Sequence, residues 1–140
     1  MRKTAKEVTA FDEKCWSLLD DMRDTLYSAN GIGLAAPQVG VLKRIFVIDL
    51  HDRNGFLEFI NPVFISKEGE QISCEACLSI PGFEGEVRRP AKIRIRAMNR
   101  YGKEFEYEGE ELAAVCTSHE YDHLDGILFR DKVIKTESNE

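Results

Sequence analysis

Apolar and polar positions follow a helical period in the first part of the chain. Between residues 10 and 30 the apolar side chains recur three or four positions apart, as on one face of a helix; they are Phe11, Cys15, Leu18, Leu19, Met22 and Leu26. Thr9 or Asp12 can cap the start of this helix, and Asn30-Gly31 favours its end. The pattern therefore predicts a helix whose apolar face packs against a core.

Four later stretches have the composition of β-strands and form two hairpins. "RIFVIDL" (44–50) and "FLEFINPVFI" (56–65) are rich in β-branched and aromatic residues, and the turn sequence "RNG" lies between them. "KIRIRAM" (92–98) alternates strictly, and "NRYG" leads from it into "KEFEYEG" (103–109). The glycine-rich segment "GIGLAAPQVG" (31–40) predicts a loop rather than a regular element.

A second helical pattern precedes the C-terminus. It predicts a helix from Glu110 to Asp125 with Gly126 as its left-handed cap. The inward stripe of this helix consists of Leu112, Val115, Cys116, His119 and His123. Strands followed by such a helix predict an α+β fold, in which antiparallel β-sheets pack around a central C-terminal helix. We expect one domain over residues 1–135 and a polar tail over residues 136–140.

Length and charge narrow the class of protein. The chain has 140 residues, which suits one domain, and a formal net charge of −6, which argues against a broad nucleic-acid surface. No apolar run approaches the length of a membrane span, and the first residues lack the apolar core of a signal peptide. We therefore expect a cytoplasmic protein that uses neither a membrane nor a nucleic acid as its partner.

The C-terminal helix carries the sequence "HEYDH". His119 and His123 are four residues apart, so both imidazoles can reach one metal ion from one helix face, and Glu120 stands where this motif has its general base. The alternative is a pair of core histidines bonded to backbone. The combination of the spacing with the glutamate favours a metal-dependent hydrolytic site.

A catalytic zinc-type site needs a third protein ligand. The extended motif of one class of zinc peptidases would place a histidine where Phe129 stands, and only 17 residues follow His123, so the ligand is expected upstream. The third histidine of the chain lies at the mouth of a predicted hairpin, where an exposed side chain is expected. The two cysteines on predicted apolar helix faces, Cys15 and Cys116, are expected to be core residues. One cysteine of "ISCEACLSIPG", Cys74 or Cys77, remains as the candidate.

Three stretches, taken together and in order, resemble the motifs of the peptide deformylase family. "GIGLAAPQ" (31–38) resembles G-φ-G-φ-A-A-x-Q, "EACLS" (75–79) resembles E-G-C-L-S, and "HEYDH" (119–123) matches H-E-φ-D-H. The resemblance covers about residues 1–135 and is to a short form of the family. It implies the family's α+β fold and the hydrolytic removal of the N-formyl group from formyl-methionyl nascent polypeptides, with release of formate.

The resemblance also implies roles for individual residues. Cys77, His119 and His123 would be the ligands of one divalent metal, with Fe(II) expected and zinc, nickel or cobalt able to occupy the same site. Glu120 would transfer the proton of the attacking water. The side-chain amide of Gln38 would stabilise the charge that develops on the formyl oxygen.

Further roles concern the substrate. The backbone N–H of Leu78 would be the second donor to the formyl oxygen, and Asp122 would support the histidines from behind or lie on the helix surface. The residues implied to bind the peptide and its methionine side chain are Ile32, Gly33, Ala76, Leu112, Val115 and Cys116. The implied partners are N-formyl-Met peptides and the ribosome near the nascent-chain exit, in a bacterial or phage-encoded setting.

Two positions depart from the family pattern. Ala76 replaces a glycine beside the ligand cysteine, and Glu84 stands where bacterial members often have an arginine. These changes keep open a deformylase-like protein that binds metal and peptide with weak or no turnover. A metallopeptidase with the same motif, and a closed structural zinc site with Cys74 as fourth ligand, are further alternatives.

Overall fold

The computed structural model describes residues 4–77, 80–127 and 133–136, with side chains described for residues 4–73 and 86–127. Its elements are α1 (Glu13–Ser28), β1 (Gly33–Ala35), a 3-10 helix (Ala36–Val39), β2 (Ile45–Asp49), β3 (Phe56–Glu68), β4 (Gln71–Cys77), β5 (Ile80–Arg89), β6 (Lys92–Met98), β7 (Glu104–Glu110), α2 (Leu112–Leu124) and β8 (Val133–Thr136). Neither of these two helices is long and apolar enough to cross a membrane.

The strands form two antiparallel sheets. One has five strands in the order β1-β2-β3-β6-β7, and the other has three in the order β4-β5-β8. The helix α2 packs on the larger sheet and also contacts β5 of the smaller one. The predicted α+β fold, with antiparallel sheets around a C-terminal helix that carries the "HEYDH" sequence, is confirmed.

The larger sheet buries apolar side chains on both faces. Alternate residues of β2 point to opposite faces, so Phe46 and Ile48 meet α2 while Ile45 and Val47 meet α1. The α2 face also contains Phe59, whose ring stacks on Phe46 at 4.7 Å between centroids. Helix α2 thus has a rigid floor, and the sheet holds it in place.

The predicted helix at residues 10–30 is confirmed as α1, somewhat shorter than expected. Asp12 is its N-cap and accepts a hydrogen bond from the Cys15 backbone N–H at 3.2 Å. At the other end Asn30 adopts φ 54°, and the Gly31 N–H donates to the Leu26 carbonyl at 3.0 Å. Local capping chemistry therefore sets both ends.

Both predicted hairpins are present. Between β2 and β3 the Gly55 N–H donates to the Asp52 carbonyl, and Gly55 has φ 63°. Between β6 and β7 the Gly102 N–H donates to the Asn99 carbonyl, and Gly102 has φ 78°. The left-handed glycines are the residues that these turns require.

The segment 31–40 corrects the sequence prediction of a loop. Gly33–Ala35 form β1, which pairs with β2 through Gly33↔Ile48 and Ala35↔Phe46. A short edge strand of Gly, Leu and Ala lacks the β-branched signal of the other strands. The absence of a side chain at Gly33 lets α2 approach the backbone of this strand closely.

The start of α2 also differs from prediction. The helix begins at Leu112 rather than Glu110, and Leu112 is 54% exposed, so its assignment to the inward stripe is wrong. It lies in the first turn, where the chain has just left β7, and its side chain is more than half exposed. Gly126 does end the helix in the left-handed conformation with φ 75°, as predicted.

The smaller sheet lies outside the sequence prediction. The second family motif begins in β4, which contains Glu75, Ala76 and Cys77, and Cys74 pairs with Glu86 in the ladder between β4 and β5. The third strand, β8, pairs with β5 and extends to Thr136, the first residue of the predicted tail. Glycine, proline and charged residues along these strands interrupt the apolar alternation that marks a strand in a sequence.

Candidate active site

The two histidines of α2 face each other. Their Nε2 atoms lie 3.3 Å apart, and their rings meet at 66°. His123 is buried, and His119 is half-buried. The prediction that both imidazoles turn inward is confirmed for His123 and holds in part for His119, which borders solvent.

The separation of these nitrogens fits two ligands of one metal ion. Nitrogens about 2.0–2.1 Å from a tetrahedral ion lie roughly 3.3–3.4 Å from each other. The observed 3.3 Å matches that spacing. Neutral imidazoles on one helix face are also the donor type that Fe, Zn, Ni and Co accept. The pair therefore fits a divalent metal, two of whose ligands it would supply.

The predicted third ligand lies outside the described side chains. Cys77 ends β4 and pairs with Ile80 in the ladder, but its side chain, like that of Ala76, is not among those described, and Leu78 lies between two described segments. Among the side chains that are described, no three His, Cys, Asp or Glu groups could hold a metal. The two cysteines expected in the core, Cys15 and Cys116, are indeed buried.

The carboxylate of Glu120 lies against β1. A Cβ added to Gly33 would come 2.8 Å from Glu120 Oε2 and 2.8 Å from Cys116 Sγ, closer than real Cβ contacts. Glu120 itself is buried, at 5% exposure. A side chain at position 33 would therefore displace Glu120 or Cys116, and the edge strand forms one wall around the Glu120 side chain.

Gln38 lies in the 3-10 helix that follows β1 and packs against α2. Its Oε1 accepts a hydrogen bond from the Ala35 backbone N–H at 2.9 Å. Because the backbone N–H can only donate, this contact assigns the acceptor end of the amide. The other end, Nε2, is a donor, as the predicted role in stabilising an oxyanion requires.

The other predicted substrate-binding residues occupy different surroundings. The Cys116 thiol is buried and lies 3.7 Å from the Ile32 carbonyl oxygen, so these two residues join α2 to the start of β1. Val115 is half-buried and Leu112 is exposed on the first turn of α2. The structure brings Ile32, Gly33 and Cys116 together beside Glu120.

A buried arginine behind the histidines was missed by sequence reasoning. Arg89, at the end of β5, donates from Nη1 to Asp122 Oδ2 at 2.6 Å, and its Nη2 lies 3.4 Å from His119 Nδ1. Its side chain is 1% exposed. The available signal was its position two residues after Val87, which places both on the inward face of the strand. Asp122 is therefore buried rather than on the helix surface, and its supporting role behind the histidines stays a prediction.

Replacing Arg89 by methionine should destabilise the protein strongly. The change removes the cation from a buried pair and leaves the Asp122 carboxylate without it, which typically costs about 3–5 kcal/mol. Arg94→Met is a matched control, because Arg94 pairs with Glu106 at 2.6 Å but its side chain is 48% exposed; we expect a loss of at most about 1 kcal/mol. Urea unfolding of both variants measures the difference, and equal midpoints would contradict a structural role for the buried pair.

Comparison with known proteins places this geometry in a family. The family model for polypeptide deformylase matches residues 1–139. The peptide deformylase of Acetivibrio thermocellus is 58% identical over 135 residues, covering 96% of this chain and 78% of the relative. That of Caldicellulosiruptor bescii is 54% identical over 140 residues, covering 100% of this chain and 83% of the relative.

Solved structures agree with this assignment. The crystal structure of a peptide deformylase from Legionella pneumophila matches with a TM-score of 0.91 at 47% identity, covering 94% of this chain and 79% of the other. That of the enzyme from Thermotoga maritima matches with a TM-score of 0.90 at 40% identity, covering 94% and 89%. The chain belongs to the polypeptide deformylase family and is a hydrolase that removes the N-formyl group from nascent polypeptides.

Proposed function

We propose that His119, His123 and Cys77 hold the metal ion of this deformylase and that Glu120 performs its proton transfer. The observation that carries the proposal is the 3.3 Å approach of the two Nε2 atoms. Glu120 lies on the same helix, and its carboxylate packs against Gly33 of β1. Cys77 is included as the third ligand because of the sequence motif and because it lies at the end of β4.

Members of this family are metalloenzymes, so the chain uses a divalent metal ion. We propose Fe(II) as the native ion, with zinc, nickel and cobalt able to replace it, because two imidazoles and a thiolate suit all four. When bound, the ion would make a water acidic enough to attack at neutral pH and would polarise the formyl carbonyl.

The proposed task of Glu120 is to move one proton. Its carboxylate would take the proton of the attacking water and deliver it to the amine of the departing peptide, so that formate and a free N-terminus result. Burial suits this role because the carboxylate is held in a fixed position beside the substrate wall, out of competition with bulk water.

Gln38 and the Leu78 backbone N–H are proposed as the donors to the formyl oxygen. The bond from the Ala35 N–H holds the Gln38 amide with Oε1 toward β1, which orients the donor end without further reorganisation. A preoriented donor at a developing oxyanion is worth about 2.7–4 kcal/mol of barrier.

The peptide is proposed to bind as an added strand on the free edge of β1. Among the described strands β1 is the last of its sheet. The Asp49 N–H donates to the Ile32 carbonyl at 2.8 Å, so alternation directs the backbone groups of Gly33 away from β2. The methionine side chain would then lie among Ile32, Val115 and Cys116, with Leu112 and Ala76 at the border of the pocket.

Gln38→Glu tests the donor role of Gln38. The variant keeps an acceptor for the Ala35 N–H but removes the amide donors, so we expect kcat to fall about 10²- to 10³-fold with metal content unchanged. Gln38→Ala removes both the acceptor and the donors, and its kcat should fall by a similar factor. Formate release measures both variants. If Gln38→Glu retains the kcat of the unchanged chain while Gln38→Ala does not, the residue only supports the backbone.

The cellular setting is proposed from the same reasoning. Nascent formyl-methionyl chains are the substrates, so the enzyme would act in the bacterial cytoplasm, or in that of a phage-infected cell, near the ribosomal exit. We propose that residues 1–135 constitute the catalytic domain.

A further inference from the structure

Asp49, the last residue of β2, connects three parts of the fold beside the proposed peptide edge. Its carboxylate Oδ2 accepts a hydrogen bond from the Tyr27 hydroxyl at 2.5 Å, and Oδ1 accepts one from the His51 backbone N–H at 2.8 Å. Its own N–H donates to the Ile32 carbonyl at 2.8 Å. The last turn of α1, the entry to β1 and the turn after β2 therefore meet at one buried carboxylate.

The Ile32 end of this arrangement leads directly into the active site. The Ile32 carbonyl also lies 3.7 Å from the Cys116 thiol, and the next residue, Gly33, packs against Glu120 with no room for a side chain. A shift of Ile32 would consequently move the edge strand relative to α2. Besides the pairing of β1 with β2, the hydrogen bond from Asp49 is thus a contact that holds the entry to this strand.

A peptide bound along β1 can continue past only one end of this strand. At its far end the Ala35 N–H is occupied by Gln38 Oε1, and the chain turns into the 3-10 helix. The formyl end of the substrate belongs at that side, since Gln38 is its proposed donor. The residues that follow methionine must then run past Ile32, toward the connection from α1 that Tyr27 anchors.

We propose that Tyr27 and Asp49 are positioning residues for the substrate: their hydrogen bond holds the entry to β1 in the register that receives the peptide backbone. This inference rests on the proposed binding of the peptide at the β1 edge. It assigns the pair to peptide binding rather than to the chemical step, because the pair is bonded to the Ile32 end of β1, whereas Gln38 lies beyond the other end of that strand.

The charge states of the pair agree with this role. The hydrogen bond to Asp49 raises the pKa of Tyr27, and the same bond lowers the pKa of Asp49. The tyrosine is thus the donor and the carboxylate the acceptor throughout the neutral range, between the ordinary pKa values of about 3.9 and about 10.

Tyr27→Phe is the direct test, with Tyr101→Phe as the matched control, since Tyr101 is 73% exposed. For formyl-Met-Ala-Ser we expect the KM of Tyr27→Phe to rise about two- to tenfold, the range for loss of one hydrogen bond, with kcat within about twofold. The inhibition constant of the product Met-Ala-Ser should rise by the same factor. Tyr101→Phe should change neither value.

A double-mutant cycle separates positioning from general stability. Asp49→Asn and Tyr27→Phe should each raise KM, because the first replaces the charged acceptor of the bond by a neutral amide and the second removes its donor. The double variant should raise KM by less than the product of the two factors, since both changes act on the same bond. A lower melting temperature of Tyr27→Phe with unchanged KM and product inhibition would overturn the inference. So would a fall in kcat alone. In either case formate release by the unchanged chain would leave the proposed site intact.

Discussion

The Glu120→Gln variant is expected to bind metal like the unchanged chain and to release formate about 10²- to 10⁴-fold more slowly, the range for loss of a general acid–base. Glutamine has nearly the same shape and fills the space beside Gly33, so packing is preserved. What is lost is the carboxylate that would accept the proton of the attacking water. Steady-state formate release, normalised to bound metal, measures the effect.

Glu104→Gln is the matched control for this change. Glu104 is exposed on β7, the far edge of the larger sheet, and we expect no change in turnover. A Glu120→Gln variant that turned over at a rate close to that of Glu104→Gln would contradict the assignment. It would mean that another group moves the proton.

The second large effect is expected for His123→Ala. Removing one imidazole of the converging pair leaves too few ligands, so we expect the variant to lose its metal after dialysis. The loss of activity should exceed the roughly 10- to 100-fold typical for residues behind the ligands. Metal analysis and formate release on the same sample measure both, and circular dichroism confirms that the variant is folded.

His51→Ala provides the control, because the His51 side chain is 68% exposed at the hairpin mouth, as the sequence predicted. It should retain metal and activity. After a chelator has removed the metal, re-addition of Fe(II) under anaerobic conditions should restore formate release by the unchanged chain and by His51→Ala. It should not restore formate release by His123→Ala. Full retention of metal by His123→Ala would exclude His123 as a ligand.

The elements that the sequence predicted are those with a strong local signal. Strict alternation in β6 and helical spacing in α1 and α2 reflect burial of one face, which a sequence records directly. The three-residue edge strand β1 gave no such signal, because it begins with a glycine that is needed for a reason that is not local. Gly33 makes room for Glu120, a residue 87 positions later in the chain.

The contacts of the candidate site also divide into those that a local sequence pattern predicts and those that only the tertiary fold creates. The spacing of His119 and His123 lies within one helix, so the convergence of their nitrogens was predictable. The partner of Asp122 is Arg89 on another strand, and nothing near either residue in the sequence indicates that they meet. The bond between Tyr27 and Asp49 is likewise a product of the tertiary fold. Cys77 as third ligand remains a prediction from the motif.

The most direct test of the account is formate release from formyl-Met-Ala-Ser together with metal analysis of the same sample, after reconstitution with Fe(II), Ni(II) or Zn(II) under anaerobic conditions. We predict about one ion per chain, as for a single three-ligand site, formate release that requires the ion, and no cleavage of the unformylated peptide. A chain that bound the ion through His119 and His123 but released no formate with any of the three metals would contradict the account and indicate a binding protein instead.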